Sequence, residues 1–416
     1  MNKKHISILH YAAPPVIGGV ESTIYHHARM LASAGYAVQV IAGRGAKFDP
    51  QIEFTAIPEV DSNHLTILEI GHVLAKGEIP AEFAFLRDQL VVKLQTVLSD
   101  SAALIVHNAH TLHKNLALTA ALHEINARSS LPMIAWCHDF AWQDPLYLPG
   151  LHPGYPWNLL SQAWPGVSYV AVSQDRAARL AELMGVDRQA IRVITPGVDP
   201  ASFWGLDPTV LALADRMELL ESAPLLLLPA RLTRRKNIEL AIKITAAMQA
   251  YLPRPTLLVT GPPGPHNPQN LAYFQELRDL RRELKVEQRV IFLAEAGPGG
   301  SPLSLEDVSL PGLFRLADGL LFPSLREGFG IPVLEAGLAR LPVFASDIPP
   351  VAESGGGHVL VFDPQDDPQA IARRISRKLN RDPGYLLKRR VVERFSWQAI
   401  VNKKILPLLD EVTQDA

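Results

Sequence analysis

The feature that most constrains this chain is a rhythm. Short apolar runs of strand type are each followed by a loop and then by a segment of helical period, and the pattern runs through twice. In the first half the runs fall at residues 5–10 (HISILH), 37–42 (AVQVIA), 103–107 (ALIVH), 132–136 (PMIAW), 168–172 (SYVAV) and 191–194 (IRVI). In the second half they fall at 224–229 (PLLLLP), 256–260 (TLLVT), 289–293 (RVIFL), 319–322 (GLLF) and 342–345 (PVFA). Helical patterns at 21–34, 81–98, 116–127, 174–184 and 238–250 lie between them, while the stretch up to about residue 77 is rich in polar breaks. Strands alternating with helices specify an α/β protein with doubly wound sheets. At 416 residues the chain is too long for a typical single core, so two such units are expected.

Composition narrows the partners. A formal net charge of -2, with charged residues at 20%, leaves neither a nucleic-acid footprint nor a polybasic membrane patch. No run of about 18 apolar residues occurs, so no membrane span is expected, although peripheral membrane contact through a lipid acceptor stays open. The start MNKKHISILHYAAPP lacks the apolar length and cleavage site of a signal peptide, and the single cysteine, Cys137, precludes an internal disulfide. A cytoplasmic protein is the expectation, with Cys137 a small core residue.

Chemistry concentrates in residues 320–343, LLFPSLREGFGIPVLEAGLARLPV. The strand-type run stops at Pro323-Ser324, Glu327 falls in the loop, and Gly328-Phe329-Gly330 form a small turn. Pro332 has the φ favoured at the first helical position. A helix is expected from there, with Val333, Leu334 and Leu338 as its apolar face and Glu335 in the first turn, where the helix dipole favours a carboxylate. Both glutamates would then sit where a strand's carboxyl end faces a helix's amino end, the place where doubly wound sheets bind ligands. Carboxylates there can accept hydrogen bonds from sugar hydroxyls. Two glutamates eight apart mean little alone among 42 acidic residues, so their context decides.

That context includes residues 230–237, ARLTRRKN, after the first strand of the second half. Arg231 and Lys236 flank a short loop ahead of a helix, where cations can neutralise a diphosphate; Arg234 and Arg235 read as a solvated basic face. In the first half, Gly18-Gly19 end the loop before the first helix without forming G-x-G-x-x-G, which removes the main support for hydride transfer. They either let backbone approach a ligand or make an ordinary turn. His138 lies just past a strand end, Asp139 either contacts an acceptor or caps the next segment, and Asn108 is a candidate hydroxyl contact. His107, His110 and His113 recur every three residues but lack a Cys or carboxylate partner, so they read as loop residues lining an acceptor pocket, with no metal. The aromatic-rich residues 141–165 form an ordered loop, residues 261–268 cannot be helical and could line a nucleotide pocket, and residues 296–309 form a Gly/Pro-rich loop.

The string E-G-F-G-I-P-V-L-E-A at 327–336 resembles the E-x7-E motif of retaining glycosyltransferases of the GT-B fold, in glycosyltransferase family 4 (glycosyl transferases group 1). The likeness extends from Gly18-Gly19 through His138, Arg231 and Lys236 to the final helix. It implies two Rossmann-like domains facing across a cleft. Residues 1–196, with the terminal helix 397–416 packing back on them, would be the acceptor side, and residues 197–396 the nucleotide-sugar side. It also implies residue roles. Arg231, Lys236 and the N–H groups near Phe329, Gly330 and Ile331 would stabilise the leaving diphosphate. Glu335 would hold the ribose, Glu327 the transferred sugar, and His138 would contact that sugar and support the transition state. Gly18 and Gly19 would meet the donor phosphate. The expected reaction moves a hexose from a nucleotide diphosphate sugar, UDP-glucose-like or GDP-mannose-like, to a hydroxyl of a sugar, small-molecule or glycolipid acceptor, with no cofactor and no metal. The leaving phosphate would accept the acceptor's proton, with Glu327 as covalent nucleophile the lesser alternative. Two rivals are a nucleotide-sugar epimerase on the same architecture and a nucleotide-sugar-binding module that has lost transfer. One departure stands out: Arg340 occupies the position where the family often has the helix-ending glycine, so the helix end or its neighbour is expected to differ.

Overall fold

The structure, a computed structural model, describes residues 3–263, 269–303 and 307–414. It divides into two compact units: residues Met1–Gly197 with Phe395–Ala416, and residues Val198–Arg394.

Unit 1 is a seven-stranded parallel sheet in the order β3-β2-β1-β4-β5-β6-β7. Its strands are β1 (His5–Ala12), β2 (Ala37–Arg44), β3 (Ile52–Ala56), β4 (Ala103–His107), β5 (Met133–Cys137), β6 (Ser168–Ala171) and β7 (Ile191–Val193). The crossovers are α1 (Gly19–Ser33), α2 (Leu65–Leu74), α3 (Ala81–Val97), α4 (Leu116–Arg128) and α5 (Gln174–Met184). Ser173 caps α5 by accepting from Arg176 N at 3.1 Å, as its residue type favours. Two elements, β3 and α2, lie in the stretch whose polar breaks concealed them. β3 buries Ile52 but leaves the edge residue Glu53 exposed, so it lacks the continuous apolar run of an inner strand.

Unit 2 repeats the design with six parallel strands in the order β10-β9-β8-β11-β12-β13. These are β8 (Leu225–Leu228), β9 (Thr256–Val259), β10 (Val290–Phe292), β11 (Gly319–Phe322), β12 (Val343–Ser346) and β13 (Leu360–Phe362). The helices are α6 (Pro200–Phe203), α7 (Pro208–Arg216), α8 (Ile238–Met248), α9 (Gln269–Glu283), α10 (Leu310–Leu316), α11 (Ile331–Leu338), α12 (Pro349–Gly355), α13 (Pro368–Leu379) and α14 (Pro383–Phe395). β8 is four leucines, all buried, because helices cover both faces of a parallel sheet and no alternating polar side remains. The helix α13 shows the complementary pattern. Asp367 accepts from Gln369 N, Pro368 opens the first turn, and Ile371, Ile375 and Leu379 recur at fourfold spacing into the core shared with α8. Each such buried leucine or isoleucine contributes roughly 1.5–3 kcal/mol.

The chain then returns to unit 1 through α15 (Trp397–Ile400), a π-helical turn over Val401–Ile405 and α16 (Leu406–Gln414). Ile400, Val401, Ile405, Leu408 and Leu409 join the core beneath β1, β2 and β4. Among the described residues no helix is long and apolar enough to cross a membrane.

In both sheets the strand order reverses once, between β1 and β4 in unit 1 and between β8 and β11 in unit 2. Loops leaving the carboxyl ends of those neighbours diverge to opposite faces and open a crevice, which is where ligands bind in doubly wound sheets.

Candidate active site

The unit 2 crevice collects charge. The loop after β8 makes a tight turn at Arg234–Lys236, and the loop after β11 carries Glu327. Lys236 Nζ donates to Glu327 Oε1 at 2.5 Å, and Arg235 Nη1 reaches Glu327 Oε2 at 3.2 Å. The lysine and glutamate side chains are 10% and 8% exposed, so this is a largely desolvated pair. A backbone bond, Leu325 N to Arg235 O at 2.8 Å, ties the two loops together. Lys236 Nζ also lies 5.2 Å from the Phe322 ring centroid, a cation–π contact that helps fix the ammonium. Burial pushes the Glu327 carboxyl up. Hydrogen bonds from Lys236 and Ser324 and the charges of Lys236 and Arg235 outweigh this and hold its pKa below the ordinary carboxylate value.

Arg235 is exposed, as a solvated basic face implies, and from there its guanidinium also reaches Glu327. Its neighbour Arg234 turns the other way, pairing with Glu276 at 2.7 Å and stacking over Tyr273. Arg231 is exposed and forms no ion pair among the described residues. Its loop is held by Gly261: a Cβ there would stand 2.3 Å from Ala230 O and 2.5 Å from Arg231 Cα, so only glycine allows the loop after β9 to pack against this backbone. Residues 264–268 of the 261–268 loop and residues 304–306 of the 296–309 loop lie outside the described residues.

Gly330 caps α11 with φ 94°, a left-handed conformation that favours glycine. The N–H groups of Phe329, Gly330 and Ile331 have no acceptor among the described residues, as expected of an open helix amino terminus. The helix begins one residue earlier than Pro332, at Ile331, which makes Glu335 its fifth residue. Glu335 therefore lies beyond the first turn, where the dipole's pull on a carboxylate has faded. The half-buried side chain makes no hydrogen bond or ion pair to a described residue.

The other end of α11 corrects the expectation for Arg340. Leu341 N bonds to Ala336 O at 2.9 Å and Arg340 N to Gly337 O at 3.0 Å, with Arg340 at φ 56°. This is the Schellman closure that a glycine would make, so the helix end does not differ. Arginine simply occupies the left-handed position at a conformational cost.

In the unit 1 crevice, Gly18 is the cap residue of α1 in extended conformation, and Gly19 faces open space. At the end of β4, Asn108 is buried with φ 62°, and its amide oxygen accepts from the N–H groups of His138 at 2.8 Å and Asp139 at 3.3 Å. Asn108 is thus a strut that shapes the loop after β5, which leaves only its amide nitrogen for any ligand. Asp139 does not cap the next turn; it pairs with Arg176 at 3.6 Å.

His138 does not stand alone. Its Nε2 lies 3.1 Å from His107 Nδ1, and His10 Nδ1 donates to His107 O at 3.0 Å. His27 packs beside them, its ring 5.5 Å from that of His107 and 4.6 Å from Trp136. Burial lowers the pKa of His10 and His138 to about 4 and of His27 to about 3, and holds His107 well below its usual range. All four rings are neutral at pH 7. His107 and His110 are core residues rather than pocket lining, with His110 against Trp164. Among the described residues no cluster has the makings of a metal site. Cys137 is buried and free, and burial pushes its thiol up to about 12, which makes it an inert core residue.

Sequence reasoning did not find Arg235, Ser324 or the partners of His138. For Arg235 the signal was present: a residue adjacent to Lys236 in a tight turn must share its loop. The histidine cluster had no such signal, because β1, α1, β4 and β5 meet only through the sheet.

Two Rossmann-like domains, each with polar residues gathered at its strand-order reversal, make up the α/β architecture of the GT-B glycosyltransferases. Residues 17–202 match the family model described as Glycosyltransferase Family 4, and residues 214–394 match the one described as Glycosyl transferases group 1. The chain belongs to this family of glycosyltransferases. It is 24% identical over 266 residues to a mannosylglucosylglycerate synthase of Petrotoga mobilis, covering 60% of each chain. It is 27% identical over 438 residues to a D-inositol 3-phosphate glycosyltransferase of Salinispora tropica, covering 99% of this chain and 84% of that one. A solved sucrose-phosphate synthase from Thermosynechococcus elongatus is 17% identical and covered in full, with a TM-score of 0.38.

Proposed function

We propose that this chain is a retaining, metal-independent transferase that moves a hexose from a nucleotide diphosphate sugar to an acceptor hydroxyl. The observation that carries this reading is the unit 2 crevice, where Arg231, Arg235 and Lys236 lie on one loop and Glu327 lies on its neighbour with three N–H groups that have no acceptor among the described residues.

The roles follow from where charge develops. Breaking the sugar–phosphate bond places negative charge on the leaving diphosphate. Arg231, Lys236 and the N–H groups of Phe329, Gly330 and Ile331 stabilise that charge as fixed donors. Lys236 and Glu327 are paired in the free protein, so donor binding exchanges one partner for another: the ammonium turns to phosphate and the carboxylate accepts from sugar hydroxyls. The pairing keeps both groups satisfied until then and holds Glu327 ionised. Glu335, with no competing partner among the described residues, is assigned to the ribose diol. His138 is assigned to the transferred sugar, and Gly18-Gly19 to the donor phosphate. Because His138 is neutral it can donate from one ring nitrogen without adding charge. No side-chain nucleophile is assigned; the leaving phosphate takes the acceptor's proton. The acceptor is bound by unit 1, and the protein acts in the cytoplasm in carbohydrate biosynthesis without a cofactor.

A thermal-shift series with UDP, GDP, ADP and their sugars tests the donor, because a ligand bound only to the folded state raises the melting temperature. No shift with any nucleotide removes the reading. Turnover that disappears in EDTA and returns with a divalent ion would remove metal independence.

A further inference from the structure

His138 is steadied by two consecutive residues of the neighbouring strand end. The pairing of β4 with β5 sets His107 opposite Trp136, which brings the residue two places beyond Trp136 within reach of the end of β4. There Asn108 accepts from the backbone N–H of His138 at 2.8 Å, and His107 Nδ1 meets His138 Nε2 at 3.1 Å. Backbone and ring are thus fixed by different partners. His107 has little room to turn away. It is fully buried, its ring lies 5.7 Å from that of Trp136 and 5.5 Å from that of His27, and its carbonyl accepts from His10 Nδ1 at 3.0 Å.

A contact between two neutral imidazoles needs one donor and one acceptor, so two proton arrangements are open. Burial lowers the pKa of both rings, which leaves each with a single N–H at pH 7. If His138 Nε2 donated, the proton of His107 would sit on its Nε2, an atom sealed from solvent and without a partner among the described residues. If His107 Nδ1 donates, the same sealed Nε2 carries only a lone pair. Orphaned buried N–H groups are rarer than under-satisfied acceptors, so the second arrangement is favoured. His138 Nε2 then accepts, and the proton of His138 lies on Nδ1. That nitrogen is not among the sealed atoms and bonds to no described residue, on a side chain that is half-buried.

We propose that His107 is a positioning residue that fixes the ring and the tautomer of His138, so that His138 offers its ligand an Nδ1–H donor and no free basic nitrogen. The ligand group that meets His138 must then be an acceptor, such as a hydroxyl oxygen engaged through its lone pair. His138 cannot take the proton of an attacking hydroxyl while Nε2 is held by His107. That the ligand group belongs to the transferred sugar rests on the transfer reaction proposed above; the tautomer does not.

The test is a nitrogen-15 spectrum of the full chain labelled at its histidines, because protonated and unprotonated ring nitrogens resonate far apart. His138→Gln identifies the His138 signals. At pH 7 both His138 and His107 are expected as Nδ1–H tautomers. His107→Phe keeps an aromatic ring without a donor and should leave His138 a mixture of tautomers, whereas His107→Asn, whose amide can replace Nδ1–H, should restore the Nδ1–H form. Calorimetry on the wild type and the two His107 variants with UDP, UDP-glucose, GDP and GDP-mannose supplies the functional readout. Affinity for UDP and GDP should be unchanged, while the extra affinity contributed by the sugar should fall about fivefold in His107→Phe, the order of one hydrogen bond, and recover in His107→Asn. A wild-type His138 found as the Nε2–H tautomer overturns the proposal, and that result needs no variant to fold. An unchanged Nδ1–H tautomer in folded His107→Phe overturns it as well. Failure of the wild type to bind any nucleotide, with the expected tautomers in place, would instead count against the transferase reading.

Discussion

Replacing Lys236 by methionine isolates the interaction at the centre of the unit 2 crevice. The variant keeps the length of the side chain but leaves Glu327 as a desolvated carboxylate with Arg235 at 3.2 Å as its remaining cation. At an effective dielectric near 20, a pair at the Lys236 distance gains about 7 kcal/mol of gross attraction and one at the Arg235 distance about 5 kcal/mol. Arg235 is 47% exposed, and solvent screens its share. Removing one partner of a buried pair costs about 3–5 kcal/mol. With Arg235 partly compensating, the lower end, about 3 kcal/mol, is expected. Urea unfolding of Lys236→Met, Glu327→Gln and the double variant, followed through Trp204 in unit 2, closes a double-mutant cycle. The double variant should recover about 2 kcal/mol relative to additivity. The pH dependence supplies a second readout. The folded pKa of Glu327 is below its unfolded value, so its stabilisation is present above the ordinary carboxylate pKa and is lost as pH falls through the folded one. That acid limb should shrink in Lys236→Met. A coupling under about 0.5 kcal/mol would refute the view that the pair is a strong, desolvated one.

Three further outcomes are expected. The buried histidines of unit 1 have folded pKa values depressed to about 4 for His10 and His138 and about 3 for His27, so unit 1 should lose stability as pH falls from about 6.5 toward 4, by up to about 1.4 kcal/mol per pH unit for each; a midpoint in urea that does not move between pH 7 and pH 5 contradicts neutral burial. Arg340→Gly should stabilise unit 2 by about 0.5–1 kcal/mol, since it relieves a left-handed arginine but adds unfolded-state entropy; unchanged or lower stability in a melt would count against the strain. Glu335→Ala should leave stability within about 0.5 kcal/mol, because the carboxylate has no partner among the described residues, while weakening UDP or GDP binding about tenfold; calorimetry that finds full affinity removes Glu335 from the nucleotide site.

Much of the fold was legible because parallel strands covered on both faces must be continuous apolar runs. The runs at 225–228 and 319–322 could hardly be anything else. β3 and β13 escaped for the opposite reason: edge strands bury less, and their sequences carry polar residues or half-buried positions. Local chemistry was legible too where one loop holds it, as with Gly330 and Pro332 at the start of α11. The exact register was not. Starting the helix at Ile331 moved Glu335 out of the first turn, a shift of one residue that no propensity resolves. Arg340 was misleading because a residue type argues about cost, whereas the closure of the helix is set by its hydrogen bonds.

By itself, then, the sequence determined the two-fold α/β repeat, the strand-end location of the acids and cations and the family. Only the tertiary structure decided who touches whom. Glu327 meets Lys236 and Arg235 because β8 and β11 are neighbours in the sheet, although the residues are about ninety positions apart in the chain. His138 meets His107 by the same means, through the pairing of β4 with β5. Sequence patterns report burial and local conformation, which depend on neighbours in the chain. Sheet order is a property of the whole domain, and it is sheet order that assembles both crevices.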